Sequence, residues 1–496
     1  MKLRQLLAGV PLAGGAADQD MEINSISWDS RTLEPGALFV ALPGEKTDGR
    51  RYVREALERG AAAVLCGPGP ACPGPCLIAE DPRLAFALVS ANWFGRPGDG
   101  MTLIAVTGTN GKTTTTSLLK ELLEGVLHTR VGLIGTNRNL IGSTELPAHR
   151  TTPDSYELQG LLRRMADAGC THVVMEASSH ALVQRRTAGL TFAAGVFTNL
   201  TQDHLDYHKT MEEYRRAKGL LFDQSETAVL NLDDEAGRWY AGRVTCPVLT
   251  YSENSARADL CARNLRLFPG HVEFEALTLG HLARIHLPIP GGFTIYNALA
   301  AASCGLCLGL ELGEIAAALR CARGVKGRVE VVPTPTAYTV LIDYAHSPNA
   351  LENVLLTARD FTAGRLVCLF GCGGDRDRTK RPLMGAVVRE LADVAVVTSD
   401  NPRTEDPWAI LEDILAGMGG PGGEIHIEPD RPQAIRWALA QGRPGDVIVL
   451  AGKGHETYQE VNGVQYPMDE REIVAEYFEK QAKRRERAGN FPAGVV

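Results

Sequence analysis

The sequence predicts an α/β protein of three domains, and three observations predict it. The chain has 496 residues, and at roughly 100–200 residues per domain that length suggests about three units. Apolar strand-like runs alternate with helix-like runs along most of it, the pattern of largely parallel sheets covered by helices on both faces. Glycine is abundant, at 52 residues, while aromatics are only 6%, which suits the many tight turns of such sheets. Hydrophobic residues at 44% and charged residues at 22% exclude wholesale disorder. A formal charge of −8 argues against a general nucleic-acid or anionic-membrane binder. No apolar run reaches the length of about 20 residues that a membrane span needs. The N-terminus starts like a signal peptide, but Pro11 and several glycines break its apolar stretch, so it is expected to be the ordinary start of a cytosolic chain.

The elements follow in order. Residues 1–98 read as a first α/β unit: INSIS and ALFVA as strands, a helix over 52–59, AAAVLC as a strand, and a helix through LAFALVSANWF. Between Gly67 and Pro75, seven of nine residues are Gly or Pro, which marks an irregular loop. GRPGDG at 95–100 reads as a linker. The second unit, 99–327, opens with the strand MTLIAV and continues through strands HVVMEA, AAGVFTNL and TAVLNL, with helices over 155–168 and 211–222 and an Ala-rich helix over 297–310. GVKGR at 324–328 marks the next boundary. The third unit, 328–496, alternates again, with TVLIDYA, RLVCLFGCGG, DVAVVTSD, EIHIEP and DVIVLAGKG as strands, several of which end in polar or Gly-rich turns. Ligands of open α/β sheets bind at such carboxyl ends.

The 11 cysteines are odd in number and scattered, as in a reducing compartment. Cys66, Cys72 and Cys76 share the Pro/Gly loop. Cys304 and Cys307 have CxxC spacing, but no partner pair follows, so they read as thiols packed like small hydrophobes.

The strongest chemical signal is AVTGTNGKTTTTSLL. A strand ends at Val106, and Gly108, Thr109, Asn110, Gly111, Lys112 and Thr113 lead into a helix. Glycines let the backbone approach phosphate oxygens, and the helix N-terminus offers unpaired N–H groups. Lys112 would reach the β and γ phosphates, and the hydroxyl of Thr113 or Thr114 could bind Mg²⁺. The usual GxxxxGK[ST] pattern would need glycine where Val106 stands, so this is a variant, tighter at its front. Glu176 and His204 each close or follow a strand, and a carboxylate and an imidazole at neighbouring strand ends can reach one ion near the loop, but Mg²⁺ prefers oxygen ligands, so spacing alone does not propose His204 as a ligand.

TGTNGKTTT resembles the nucleotide loop of the Mur ligase family, ATP-dependent amide-bond ligases of peptidoglycan assembly. The resemblance continues through MEASSH, NLTQDHLDYH, YRRAKGLLF, YNALAA, GRVE, DYAHSP, GCGGDRDRTKRP, DNPRTEDP and GKGHE, in the family's order. It implies an N-terminal UDP-binding domain, a central ATPase-like parallel sheet and a C-terminal Rossmann-like domain. It is strongest to members that add the third stem-peptide residue to UDP-N-acetylmuramoyl-L-alanyl-D-glutamate; the chain is expected to act in the cytoplasm, as a monomer. Folylpolyglutamate synthases, the ligase of the D-Ala-D-Ala dipeptide and a nucleotide-dependent switch protein stay open as alternatives, as does L-lysine as the added residue.

The resemblance also implies roles. Glu176 and His204, with Thr113, match a two-Mg²⁺ site. Lys218 matches a lysine carbamylated by CO₂; a carbamate can ligate or orient a metal that a bare ammonium would repel. For ATP, Asn297 resembles the adenine contact, Arg328 a phosphate contact and Asp343 the ribose contact, with His346 nearby. For the UDP-muramyl dipeptide, Trp28, Ser30, Glu45, Lys46 and Thr47 match contacts to the UDP part, and Arg150, Thr151, Thr152, Ser178, Gln184 and Arg186 contacts to the sugar-peptide part. Asp400, Asn401, Pro402 and Arg403, with Arg376, Gly452 and Glu456, match a pocket for meso-diaminopimelate. Arg403 would take the distal carboxylate, which a planar guanidinium grips bidentately, and Glu456 the distal ammonium.

Overall fold

The structure is a computed structural model that describes residues 1–489 apart from 45, 46 and 71. The chain forms two compact units. Met1–Cys261 with Leu299–Ile315 make the first; Ala262–Ala298 with the chain from Ala316 onward make the second.

The first unit holds two sheets. In the N-terminal one the strand order is Gly14–Ala16, Cys76–Ile78, Ala63–Cys66, Ala37–Ala41, Ser25–Ser27, parallel except for the first strand. Ala37–Ala41 is buried throughout. Its period-2 geometry sends Leu38 and Val40 into one apolar cluster and Phe39 and Ala41 into another. The other sheet places six parallel strands side by side: Val248–Ser252, Ala228–Asn231, Ala194–Phe197, Thr102–Thr107, Cys170–Glu176 and Arg130–Ile134. The two sheets belong to one unit because the ring of Tyr156, on helix Ser155–Asp167, packs 5.4 Å from Trp28 and 4.9 Å from Phe94.

That order places three carboxyl ends together. Thr102–Thr107 lies between Ala194–Phe197 and Cys170–Glu176, with Val106 level with Glu176 and Thr107 level with Phe197. Helix Lys112–Leu127 follows the central strand and buries Leu118, Leu119, Leu122 and Leu123, an apolar stripe at helical spacing.

In the second unit the order is Glu330–Val332, Thr339–Asp343, Val447–Ala451, Leu366–Phe370, Val394–Val397, Glu424–Ile427, antiparallel only at the first pair. Val340 and Ile342 face one core and Leu341 the other. The unit also contains the antiparallel hairpin Val272–Thr278 and His281–Leu287, which the strand-helix alternation does not anticipate. Its sequence carries the signal for a half-buried hairpin, with apolar and polar residues alternating and Gly280 in the turn at φ 80°.

Candidate active site

The phosphate-like loop is built by the chain's geometry before any ligand is considered. Gly108 has φ 152°, and a Cβ there would fall 1.8 Å from Thr198 Oγ1, so no larger residue fits. Gly111, at φ 83°, stands just before helix Lys112–Leu127. The neighbouring strand end pins the loop: Thr109 N donates to Asn199 O at 2.8 Å, Asn110 N to Asn199 Oδ1 at 2.9 Å, and Thr198 Oγ1 to Asn110 O at 2.6 Å. Lys112 Nζ folds back onto the carbonyls of Gly108 and Thr109, at 2.9 Å from each. Thr113 is half-buried and Thr114 buried in the first helical turn.

Lys218 comes from helix Met211–Gly219 and is 2% exposed. Its Nζ donates to Gly108 O at 2.7 Å, the same carbonyl that Lys112 uses. Burial drives its ammonium well below the ordinary lysine range, Lys112 adds repulsion, and Asp203 opposes both. Tyr214 is the centre of this group. Its ring lies 4.3 Å from Lys218 Nζ and 6.1 Å from the His204 ring, and its hydroxyl is 3.3 Å from Thr109 Oγ1. Burial pushes the Tyr214 phenol up to about 12. His204 itself has φ 53° and is half-exposed, with Nε2 3.5 Å from Asp203 Oδ2.

Glu176 is 1% exposed at the end of its strand. Its carboxylate accepts from Thr136 N and Thr136 Oγ1, both at 2.9 Å, and Thr136 Oγ1 lies 3.0 Å from Thr151 Oγ1. Thr152 Oγ1 donates to Glu176 O at 2.8 Å and accepts from Ser178 N at 3.0 Å. Arg186 Nη1 donates to Thr152 O at 2.8 Å and Nη2 to Gln184 Oε1 at 2.7 Å. Thr151, Thr152, Ser178, Gln184 and Arg186 are therefore one bonded network running up to Glu176. Burial, with Arg150 nearby, lowers the Arg186 guanidinium from its ordinary range. Arg150 is more exposed and lies 3.7 Å from Asp154.

Trp28 lines a cavity of about 370 Å³ with Ser25, Ser27, Thr32, Glu34 and Tyr156. Ser30 is buried, and its hydroxyl donates to Glu55 at 3.2 Å. Thr47 is exposed, and its carbonyl accepts from Gly44 N at 3.1 Å. Glu45 and Lys46 lie outside the described residues.

In the second unit, Asp343 ends its strand and accepts from Val329 N at 2.8 Å. Burial raises its carboxyl, and the Arg328 charge is the largest influence opposing that. The Arg328 guanidinium stands 5.2 Å from the centre of the Tyr344 ring, and His346 Nδ1 donates to Tyr344 O at 2.8 Å. Asn297 is buried on helix Gly292–Cys307.

The DNPR segment gathers a second group. Asn401 Nδ2 donates to Glu456 Oε2 at 3.0 Å, while Lys453 Nζ donates to Asn401 Oδ1 at 2.6 Å and to Glu456 Oε2 at 2.9 Å. Gly452 has φ 112°, and a Cβ there would fall 2.6 Å from Asp400 Oδ2. Arg403, at φ 52°, donates through Nη1 to Gly374 O at 2.7 Å and through Nε to Glu460 Oε2 at 3.2 Å. Pro402 is buried between them; Arg376 is exposed, donating to Asp375 O at 3.2 Å. A Cβ on Gly373 would lie 3.0 Å from Arg403 Nη1 and 3.8 Å from Arg376 Cγ, so both arginines border this glycine turn.

Sequence reasoning passes over Thr136, Thr198, Asn199, Tyr214, Tyr344, Lys453 and Glu460. Lys453 stands inside GKGHE and Asn199 opens NLTQDHLDYH, so position within those strings was a usable signal. For Thr136 and Glu460 no local signal exists.

Three family models match the chain: "Mur ligase family, catalytic domain" over residues 22–79, "Mur ligase middle domain" over 106–305 and "Mur ligase, glutamate ligase domain" over 327–454. A UDP-N-acetylmuramoyl-L-alanyl-D-glutamate--2,6-diaminopimelate ligase of Clostridioides difficile (strain 630) is 39% identical, covering 97% of this chain and 100% of its own. The ligase of the same name from Clostridium botulinum (strain ATCC 19397 / Type A) is 44% identical, covering 92% and 95%. A solved structure under that name superposes with a TM-score of 0.74 at 33% identity, covering 97% of this chain and 99% of that one.

Proposed function

We infer the reaction from one premise: this chain belongs to the Mur ligase family. It joins meso-diaminopimelate to UDP-N-acetylmuramoyl-L-alanyl-D-glutamate at the expense of ATP, in cytoplasmic peptidoglycan precursor synthesis. Relatives 39% and 44% identical over nearly their whole length carry that activity in their names. The observation that carries the choice of amino acid is the bonded group of Asn401, Lys453 and Glu456, with the guanidinium of Arg403, two residues along the chain from Asn401, beside Gly373. In this reading residues 1–98 take the muramyl nucleotide, 99–327 ATP and 328–496 the amino acid.

The D-glutamyl carboxylate attacks the γ-phosphorus of ATP and ADP leaves. The amine of diaminopimelate then attacks the acyl phosphate carbon. The tetrahedral intermediate collapses, expelling phosphate, and the nitrogen loses a proton to give the amide. The N-terminus of helix Lys112–Leu127 and Lys112, already aimed by its two loop carbonyls, offset charge on the phosphoryl oxygens. Asn297, Arg328, Asp343 and His346 hold the nucleotide.

The oxygen donors of Thr113 and Glu176 fit Mg²⁺, which prefers such ligands, and the His204 imidazole joins them by the family resemblance. When bound, Mg²⁺ neutralises charge on the transferred phosphoryl group. Lys218 fits such a cation only as a carbamate, since its ammonium would repel one. Its surroundings favour the neutral amine, the form that adds to CO₂, forming the N–C bond and releasing a proton.

The test is phosphate release with the UDP-muramyl dipeptide and a panel of amino acids. Turnover that needs both the dipeptide and meso-diaminopimelate is the expected result. Turnover with neither, or with glutamate on a folate, overturns the reading.

A further inference from the structure

Cys66, Cys72 and Cys76 are consumed by none of the chemistry above, yet they converge. Cys66 ends strand Ala63–Cys66 and Cys76 begins the neighbouring parallel strand Cys76–Ile78. Both face the same apolar cluster, and their sulfurs are 3.5 Å apart. Cys72 comes from the intervening loop, and the three sulfurs all lie within 4.8 Å of one another. We propose that Cys66, Cys72 and Cys76 form a three-thiolate site for a thiophilic d¹⁰ cation, Zn²⁺ or Cu⁺.

The distances suit that ligand. Metal–sulfur bonds of about 2.3 Å put sulfurs roughly 3.8–4.0 Å apart in tetrahedral or trigonal sites, so closure needs only small side-chain shifts. All three donors are sulfur, which selects soft or borderline ions over Mg²⁺ or Ca²⁺. Two carbonyls of the loop are held without the ion. Arg50 donates to the carbonyls of Gly67 and Pro70, and Pro70, Pro73 and Pro75 reduce the chain entropy that closing it would cost. Burial pushes the Cys66 and Cys76 thiols up, and the Arg50 charge acts against that at Cys66, so it is the metal that must draw the protons off. Each thiol that binds gives its proton to solvent as its S–metal bond forms.

A second cluster, His271, Glu273 and His286, offers mixed nitrogen and oxygen donors, but Arg284 already lies 3.0 Å from Glu273 Oε2. It serves as the internal control. The experiment titrates the reduced, metal-free full-length chain with Cd²⁺, reading the thiolate-to-metal charge-transfer absorbance, and then displaces Cd²⁺ with Zn²⁺ or Cu⁺ in separate arms. The expected result is one tightly bound equivalent, weakened more than about tenfold in Cys72→Ser and in Cys66→Ser and unchanged in His286→Ala. Displacement by only one of the two ions identifies it. Cys72 is half-buried on a loop, so its serine variant keeps the test sound if Cys66→Ser fails to fold. Wild-type affinity in Cys72→Ser, or a Cys66–Cys76 disulfide with no bound ion in protein purified without oxidant, overturns the proposal.

Discussion

Lys218 in the first unit and Lys453 in the second are both buried, and they keep opposite company. Lys453 is 0% exposed, yet its Nζ lies 2.9 Å from Glu456 Oε2 and 3.7 Å from Asp400 Oδ1. Lys218 meets a carbonyl, the face of Tyr214 and a neighbouring lysine; among the described residues no carboxylate pairs with it. A buried ammonium with carboxylates around it repays much of its desolvation cost. One without them is driven toward the neutral amine. The same residue type thus sits among carboxylates in one unit and is driven toward the neutral amine in the other.

The contrast can be broken or sharpened in order of expected effect. Lys112→Ala takes the preset cation off the phosphate loop, and removing a positioned donor of this kind costs about 10²–10³ in rate. Ligase activity above a tenth of wild type in the folded variant would show that the loop does not serve phosphate.

Lys218→Ala should be nearly inactive, with partial recovery in acetate or formate, whose carboxylate stands in for the carbamate. A ¹³C carbamate resonance after labelled bicarbonate, absent from the variant, checks the modification directly. Stability reports the same group in CO₂-free buffer. The native lysine is depressed below its unfolded value of 10.5, so the unfolded chain binds the extra proton between the two. Wild-type stability should therefore rise with pH through that window, relative to Lys218→Met. Parallel urea-midpoint curves for the two proteins would contradict the assignment.

Arg403→Ala tests the pocket. Removing one partner of a buried charge pair costs roughly 2–5 kcal/mol, or about thirty-fold to several thousand-fold. We expect kcat/KM to fall that much for meso-diaminopimelate and little for L-lysine, which lacks the second carboxylate. An equal loss on both substrates would mean Arg403 is not the selector.

Lys453→Met tests the scaffold. It leaves Glu456 and Asp400 without their cation, a change that costs about 3–5 kcal/mol in buried pairs, read as a lower urea midpoint. Arg150→Ala should do least. Its pair with Asp154 is long and open to solvent on the arginine side, and such pairs are worth about 0–1 kcal/mol, so a change in KM for the muramyl nucleotide beyond about fivefold would reveal a direct contact.

Much of the fold was legible because it is written in neighbours. The short apolar runs ALFVA and TVLID, the glycines of TGTNGK and the proline after Ser347 each set local backbone within a few residues. The order of motifs along the chain pointed to the family for the same reason, as a one-dimensional pattern. The hairpin of 272–287 escaped notice although its alternation was there to read. What no local pattern could supply is which residues meet. Lys218 reaches Gly108 across 110 positions and Lys453 reaches Asn401 across 52. Those meetings follow from sheet order, since Thr102–Thr107 sits between strands that come later in the chain. Sheet order is chosen by burying whole faces at once. Tyr214 as a hub, the shared carbonyl of Gly108 and the convergence of three cysteines are therefore consequences of tertiary packing, while the loop and the strands that carry them were fixed by their own sequences.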